Sequence, residues 1–400
     1  MAVVYNSAEE LCWFWLCNIP GIGNTKIRAL LSAFGNADEI YRASAGLLES
    51  IKGIGEKEIK SIIESRKDNG IYERYLLMKK KDIGFIYPES TDYPQRLKLI
   101  YDAPVSLYYR GRLPSEELPS VAIIGARECS SYGKEVARFF GDEFAKMGIQ
   151  VISGLARGID SYGHLGANEG GGSTFGVLGC GVDICYPKEN IELYMNILKD
   201  GGIISEYPPG TKPLAYQFPM RNRIISGLAD VIVVIEAREK SGSLITVDQA
   251  LEQNKDVMAV PGRIGDSLSE GCNNLIKMGA QIITVPEDIL QNLTGYSGFM
   301  PVLKRMCDIN TECEKSEKTY ISDMGDSAKK NNMLASMEKK VYSCVDLFPK
   351  NLSYIIEETG LEANLVTEIL LNLELGNFIR EVSKNNYIRV FSPKHQRGDL

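Results

Sequence analysis

The residues best suited to chemistry in this sequence are glycines, small hydroxyl side chains and cations that follow short apolar runs. Gly125 and Arg127 come directly after the run 121–124, and Ser130 precedes a helical pattern. A glycine lets the backbone approach a ligand closely, a helix N-terminus presents free N–H groups, and a guanidinium group matches a phosphate. This loop is equally compatible with a phosphate site and with a tight turn that carries a surface arginine.

Two further loops repeat the combination of glycine and cation. Gly154, Arg157 and Gly158 follow the apolar run 150–152 and form a second possible phosphate cradle. Lys188 follows the next apolar run and its loop, where its ammonium group is a point charge suited to phosphate. The alternative for Lys188 is a solvated lysine at the start of a helix.

A fourth loop adds an aromatic ring to the cations. Phe218 is followed by Arg221, Asn222 and Arg223, just ahead of an apolar helical pattern. Aromatic faces stack on unpaired bases and guanidinium groups bind phosphates. This loop therefore favours a single nucleic acid strand as the ligand.

These loops meet in space only if the strands before them share one sheet. Between residues 119 and 291, apolar runs of strand length alternate with amphipathic helical patterns. The runs are 121–124, 150–152, 174–178, 202–205, 231–235, 256–260 and 281–284. Such alternation predicts an α/β fold with a parallel sheet covered by helices on both faces, and ligands bind beyond the carboxyl ends of its strands. We therefore expect the loops to form one cationic trough.

The sequence offers little for catalysis. His164 follows Asp160 by one helical turn, which suggests either an acid–base pair or a packing pair, and the absence of a nucleophile motif favours packing. Asp183 and Glu206 also follow strands, where carboxylates either bind sugar hydroxyls or, as we favour, hold loops. Because no GxGxxG, GxxxxGK[ST] or GxSxG motif occurs, we expect no nucleotide cofactor and no enzyme of these common kinds.

Composition narrows the possible partners further. The net charge of −7 excludes a protein that coats nucleic acid with its whole surface, so a nucleic acid site must be a local patch. Two histidines and nine scattered cysteines without a CxxC pair predict no metal site and reduced thiols. No apolar run approaches the roughly 20 residues of a membrane span, and the N-terminal residues lack a signal pattern. We therefore expect a cytoplasmic protein.

The flanking segments differ in pattern from the sheet region. The predicted domains are a helical module at 1–80, the sheet domain at 81–291, a polar linker at 292–332 and a winged helix at 333–400. A Gly-Ile-Gly turn recurs at 21–23 and 53–55, as in helix-hairpin-helix modules that bind DNA phosphates, but the near-neutral charge favours a packing module. Three helices and a β-hairpin indicate the winged helix, whose glutamates would repel DNA, so we expect it to contact protein.

The sheet region closely resembles the DNA-processing protein A family (DprA, also called Smf). The resemblance rests on the segments that follow the predicted strands. These are Ile124-Gly125-Ala126-Arg127, Ser153-Gly154-Leu155-Ala156-Arg157-Gly158-Ile159-Asp160, Gly179-Cys180-Gly181-Val182-Asp183, Tyr186-Pro187, Ser205-Glu206-Tyr207-Pro208-Pro209-Gly210, the run from Phe218-Pro219 to Gly227, Ser241-Gly242-Ser243-Leu244-Ile245-Thr246 and Ala259-Val260-Pro261-Gly262. One departure is Gly163, where the family usually has alanine before the histidine.

This resemblance implies an extended Rossmann fold, with a SAM-like helical module and a winged helix as flanking extensions. It implies a homodimer that binds single-stranded DNA through its Rossmann-like domain and loads the RecA recombinase past single-strand-binding protein during natural transformation (competence). The family's pocket would map to Arg127, Lys188 and the turn 221–223, lined by the loops of Gly154 and Gly158. The alternative is a nucleotide-processing enzyme similar to the phosphoribohydrolases, which share a Rossmann-type core.

Overall fold

The apolar runs between residues 119 and 284 form the central strands of a nine-stranded sheet. In the computed structural model, which describes residues 7–293, 337–346, 348–376 and 378–390, the strand order is β1-β2-β6-β5-β4-β3-β7-β8-β9. The strands are β1 (Gly84–Ile86), β2 (Leu107–Gly111), β3 (Ser120–Ile124), β4 (Gln150–Ser153), β5 (Thr174–Leu178), β6 (Gly202–Ser205), β7 (Val231–Val234), β8 (Asp256–Ala259) and β9 (Gln281–Ile282). The seven strands from β3 to β9 pair in parallel, whereas β1 and β2 are antiparallel additions at the β6 edge. The predicted α/β fold is confirmed.

The order of the strands reverses at β3. From β3 the chain moves outward through β4, β5 and β6, then returns to pair β7 against the other side of β3. In doubly wound sheets, ligands bind in the crevice at such a switch point, beyond the carboxyl ends of the two strands. The loops after β3 and β7 are therefore the ones to inspect first.

Helices cover both faces of the sheet. They are α8 (Ser131–Lys146), α9 (Ile159–Glu169), α10 (Ile191–Asp200), α11 (Gln217–Leu228), α12 (Gly242–Glu252) and α13 (Glu270–Lys277). α8 and α9 pack unusually closely, because a Cβ at Gly141 would meet the Gly163 backbone and one at Gly166 would meet the Arg138 carbonyl. Gly163 itself lies against Ile123, where an added Cβ would come within 3.0 Å of a side-chain carbon. The departure from alanine at 163 thus eases a crowded contact.

The N-terminal residues form a helical module that shares its core with the sheet. Its helices are α1 (Ser7–Cys17), α2 (Asn24–Phe34), α3 (Ala37–Arg42), α4 (Ala45–Glu49), α5 (Glu56–Ser65) and α6 (Asn69–Lys80), and a short α7 (Gln95–Lys98) follows β1. Gly21 and Gly53 take positive φ angles of 78° and 91° in the two repeated turns. Phe14 packs edge-on against Phe85 and Tyr108, so the module and the sheet form one continuous apolar cluster.

The C-terminal residues fold around a separate core. Residues 337–344 are helical, and they are followed by β10 (Lys350–Asn351), α14 (Leu352–Thr359), α15 (Ala363–Leu375), β11 (Ile379–Ser383) and β12 (Asn386–Arg389). The strands pair in the order β10-β12-β11, which gives the winged-helix arrangement. Arg380 of this unit forms a 2.6 Å ion pair with Glu135 of α8. Residues 294–332 of the predicted linker lie outside the described residues.

Candidate nucleic-acid interface

An open cleft of about 390 Å³ lies at the switch point between β3 and β7. The loop after β3 contributes Gly125 and Arg127, α11 contributes Phe218 and Asn222, and the start of α12 forms the facing wall. The Ala126 N–H donates to the Glu236 carbonyl at 2.7 Å, which ties the loops after the two strands together. Hence the sequence-predicted residues Gly125, Arg127, Phe218 and Asn222 share one cleft.

Arg127 and two aromatic rings lie next to one another in this site, with Arg127 and Tyr186 exposed and Phe218 half-buried. The guanidinium carbon of Arg127 lies 5.8 Å from the centroid of the Phe218 ring. The centroid of the Tyr186 ring lies 5.4 Å from the centroid of the Phe218 ring, with 30° between the ring planes. Among the described residues no carboxylate pairs with Arg127, so its charge is available to a phosphate while the rings are available to bases.

Two glycines make this arrangement possible. A Cβ at Gly125 would come within 2.7 Å of Ile159 and 2.8 Å of the Glu236 carbonyl oxygen. Gly158 has a φ of 74°, and a Cβ there would collide with the Ala126 carbonyl oxygen. Both residues are therefore required for the close approach of the two loops, and Gly158 lines a neighbouring cleft together with Arg127 and Arg157.

The other cations predicted for this site, Arg157 and Lys188, differ in whether their charge is already paired within the protein. Arg157 is exposed but forms an ion pair with Glu189. Lys188 is exposed at the start of the 3-10 turn Lys188–Asn190, directly after Pro187, and has no ion-pair partner within the described ranges. Pro187 and Tyr186 line a small depression with Arg127, Arg157 and Gly154. Lys188 adjoins Pro187 along the chain but lines neither this depression nor the switch-point cleft, so the structure brings its neighbours and not its ammonium group to the site.

Arg221 has a structural role that the sequence did not predict. Its side chain is buried, and its guanidinium donates to the carbonyl of Gly154 at 2.9 Å and to that of Val177. Burial lowers the pKa of Arg221 to about 10. Gly154 is also satisfied internally, since its N–H donates to Asp160 at 3.1 Å. These residues form the floor of the site by tying the ends of β4 and β5 together.

Arg223 also serves the fold. It is 5% exposed and forms ion pairs with Asp102 at 3.0 Å and Glu206 at 2.6 Å. Asp102 pairs in turn with Arg28 of α2 at 2.7 Å, and the Asn24 amide donates to Glu206 at 2.7 Å. Our sequence interpretation placed Arg223 at the DNA, whereas the structure places it in a network that joins α11 to the helical module.

Ser130 is likewise occupied within the protein. Its hydroxyl accepts the Gly133 N–H at 3.0 Å, which makes it the N-cap of α8, and it donates to the buried Glu236 carboxylate at 2.5 Å. Its backbone N–H also donates to Glu236, at 2.9 Å. The helix N-terminus that the sequence offered to a phosphate is therefore already filled by a side chain of the protein.

Asp160 and Asp183 both hold loops, and for Asp183 this is the role that the sequence interpretation favoured, whereas Glu206, the other carboxylate so interpreted, binds Arg223 and Asn24. Asp160 accepts N–H groups from Gly154 and Ala156, and burial raises its pKa although Arg221 opposes the shift. Asp183 accepts the Gly210 N–H at 2.7 Å and pairs with Lys81 at 3.1 Å. Each carboxylate is thus committed to the backbone or to a cation of the protein.

His164 packs inside the protein rather than acting with Asp160. The ring is fully buried, and its Nδ1 lies 2.6 Å from the Thr174 hydroxyl. Because Thr174 donates to the Val151 carbonyl at 2.8 Å, Nδ1–H is the donor to Thr174. Burial, with a smaller contribution from Arg221, lowers the pKa of His164 to about 3, so the ring is neutral. The packing interpretation is confirmed.

Sequence reasoning missed several residues of the cleft. Tyr186, which lines the adjoining depression, was noted only as part of a motif. Arg238 and Lys240 were not considered, although they precede Ser241 and line the cleft wall at α12. The signal that could have found them is the combination already used elsewhere, a strand followed by cations and small hydroxyl residues.

No group of three His, Cys, Asp or Glu side chains among the described residues could hold a metal, and none of the described helices is long and apolar enough to cross a bilayer.

The fold and the site together define the class of this protein: a doubly wound α/β protein with a cationic, aromatic cleft at the switch point of its sheet. Comparisons with known proteins agree with that class. Residues 84–294 match the family model of DNA recombination-mediator protein A, and residues 16–68 match that of the SAM-like helix-hairpin-helix tandem. The chain belongs to the DNA recombination-mediator protein A family, which confirms the resemblance seen in the sequence.

Individual relatives are similar over much of their length. The chain is 31% identical to Protein Smf of Synechocystis sp. over 399 residues, which cover 96% of this chain and 99% of the relative. It is 46% identical to the DNA processing protein DprA of Streptococcus pneumoniae over 199 residues, covering 50% of this chain and 70% of the relative. The X-ray structure of DprA from Streptococcus pneumoniae superposes with a TM-score of 0.62 at 34% identity, covering 70% of this chain and 97% of that one.

Proposed function

We propose that this protein is a non-enzymatic mediator that binds single-stranded DNA in the switch-point cleft and passes it to a RecA recombinase. The observation that carries the proposal is the group formed by Arg127, Phe218 and Tyr186, in which a cation that has no carboxylate partner among the described residues lies beside two aromatic rings. Backbone phosphates would contact Arg127, while bases stack on the rings. Only an unpaired strand offers free base faces, so the site suits single strands over duplexes.

The absence of an enzymatic role is part of this proposal. The carboxylates at the strand ends are engaged by backbone N–H groups or by buried arginines, and His164 is neutral and buried. General acid–base chemistry needs such a group within reach of a substrate. These commitments favour binding over the alternative phosphoribohydrolase-like reaction.

Family membership and one exposed sheet edge support the partners that we propose. A recombination mediator acts where single-strand-binding protein covers the DNA, so we propose that the protein protects incoming strands and loads RecA onto them in the cytoplasm during natural transformation. For the homodimer, we propose the β9 edge of the Rossmann-like sheet. Ile282 of β9 is exposed by 51%, and Met278, which follows α13 just before this strand, is exposed by 80%; exposed apolar side chains of this kind are typical of interaction surfaces.

Fluorescence anisotropy with labelled oligothymidine tests the binding step. Arg127→Ala should weaken single-strand affinity about tenfold, since one charge-assisted contact is worth roughly 1.5–3 kcal/mol. Arg112→Ala is the matched control, because Arg112 is also exposed but follows β2 at the amino end of the neighbouring β6. Equal affinity of wild type and Arg127→Ala would remove this cleft from the proposal.

A second assay tests the mediator step. RecA is added to DNA covered by single-strand-binding protein, and its DNA-dependent ATP hydrolysis is followed with and without this protein. A shortened lag with wild type, but not with Arg127→Ala, is the expected result. An unchanged lag despite intact DNA binding would refute the loading function alone.

A further inference from the structure

The wall of the cleft formed by α12 carries polar groups that have no part in the DNA contacts proposed for Arg127. Ser241 caps the helix, and its hydroxyl accepts the Ser243 N–H at a long 3.4 Å. Gly242, the first residue of α12, is exposed, and no other atom lies within 4 Å of the position its Cβ would take. The Leu244 N–H donates to the Ser241 carbonyl at 3.1 Å, so the N–H groups of Gly242 and Ser243 are the ones in this first turn that are left weakly bonded or without a hydrogen-bond partner among the described residues.

Thr246 supplies an independent indication of a ligand. The residue is only 3% exposed and lines the cleft one turn further along α12. Within the described part of the chain its hydroxyl has no hydrogen-bond partner. The hydroxyl oxygen is not among the fully buried unpartnered atoms of the described residues, so it is accessible from the cleft that Thr246 lines, where a ligand atom can be its partner.

The charges around this wall favour an anion. The cleft is lined by the cations Arg127, Arg221, Arg238 and Lys240 and by two carboxylates, Asp160 and Glu128. Asp160 is bound to backbone N–H groups, and Glu128 is 92% exposed and lies 3.9 Å from Arg238. Lys240 has no ion-pair partner among the residues that the structure describes. The local charge is thus positive although the whole chain carries −7.

We propose that the start of α12, with Thr246 and Lys240, is a subsite for the phosphomonoester group of a nucleotide. A phosphomonoester carries about −1.5 to −2 charges and three acceptor oxygens, whereas an internal phosphodiester carries one charge, so these donors favour the monoester. A cleft of about 390 Å³ is near the small end of ligand pockets, roughly 300–1,000 Å³, and suits a single nucleotide. The phosphate would come from the end of a DNA strand or from a free nucleotide, and this inference rests on the proposed binding of DNA in the same cleft.

Strand ends and free nucleotide are tested side by side with the full-length protein. Oligothymidines with a 5′-phosphate, a 3′-phosphate or hydroxyl groups at both ends are compared by anisotropy, and thymidine monophosphate is compared with thymidine by calorimetry. We expect about tenfold tighter binding of one phosphorylated end, or binding of the monophosphate without binding of thymidine.

Variants locate the effect on this wall. Thr246→Val keeps the shape and removes the hydroxyl, and Lys240→Ala removes the free charge, so each should reduce the preference for phosphate at least threefold. Thr246→Ser keeps the hydroxyl and loses only the methyl group, so it should retain the preference. Lys60→Ala removes an exposed lysine of α5 as a control.

The outcomes separate this inference from the proposed function. A preference for a phosphorylated end identifies the strand terminus as the source, and binding of the monophosphate alone identifies a free nucleotide. If all strands bind equally and the monophosphate does not bind, the subsite is refuted while DNA binding stands. If no strand binds, the proposed function fails, and the calorimetry still decides the subsite. A preference that survives in both Thr246→Val and Lys240→Ala would refute the location.

Discussion

Arg127 and Arg223 provide the sharpest test of the site, because the structure gives these two arginines opposite roles. Arg223 is buried and bridges Glu206 and Asp102, whereas Arg127 is exposed and unpaired within the described chain. Arg223→Ala should therefore lower stability and leave the DNA affinity of the folded protein unchanged. Arg127→Ala should lower the affinity and leave stability unchanged.

The expected loss of stability follows from the partners of Arg223. Removing one partner of a buried ion pair costs about 3–5 kcal/mol, and the side chain of Glu206 is only 12% exposed. The Asn24 amide still donates to Glu206, so we expect the lower value, about 3 kcal/mol. With a urea m-value of about 3 kcal/mol per M, the midpoint of unfolding falls by roughly 1 M.

Urea unfolding and fluorescence anisotropy on the same preparations distinguish the stability role of Arg223 from the DNA-binding role of Arg127. Arg28→Ala serves as a graded control, since its pair with Asp102 is more than a third exposed on both sides and should contribute at most about 1 kcal/mol. An Arg223→Ala protein with a normal unfolding midpoint and an affinity loss as large as that of Arg127→Ala would refute the assignment.

Three further outcomes are expected. The logarithm of single-strand affinity should fall linearly with the logarithm of salt concentration, and Arg127→Ala should reduce the slope by about 0.7, the value for one phosphate contact; an unchanged slope in a titration series would argue against that contact. Gly158→Ala should lower the urea midpoint more than Gly171→Ala, because both residues have positive φ angles, 74° and 72°, but only at 158 does the added Cβ collide with backbone; equal effects would contradict the described packing. The pKa of His164 falls from about 6.5 in the unfolded chain to about 3 on folding, so the unfolded state binds more protons between these two values. The free energy of unfolding should therefore decline as the pH drops from 6.5 toward 3. His164→Gln should flatten that decline in urea titrations at successive pH values.

The fold was largely predictable because its signals are local. The seven apolar runs predicted as strands correspond to β3–β9 within a few residues, since a strand buried on both faces needs apolar residues throughout. The helical pattern that follows Ser130 forms α8, which begins at Ser131 and is capped by the Ser130 side chain. The antiparallel strand β2 lies beside β6, a placement that depends on non-local pairing and that no pattern in the sequence specified.

The site was predictable in position but less so in the role of each residue. Loops at strand ends were placed correctly at one edge, because parallel strands bring their carboxyl ends together. The sequence alone cannot distinguish an arginine that faces solvent from one that is buried, however. Arg221 and Arg223 are separated by one residue on α11, yet one turns toward β4 and β5 and the other toward the helical module. That difference depends on Asp102 and Glu206, which are far from them along the chain.

The core that the helical module shares with the sheet determines which parts of the protein unfold together. Phe14 of α1 lies against Phe85 and Tyr108 of the sheet, and the Asn18 amide donates to the Tyr108 hydroxyl at 2.8 Å. A fragment beginning at residue 81 would turn this aromatic face toward water, so the two regions should melt in a single cooperative transition. The winged helix, with apolar residues of its own around Val341 and Ile369, can melt separately. The thermodynamic units of this protein are therefore fewer than its sequence motifs suggest.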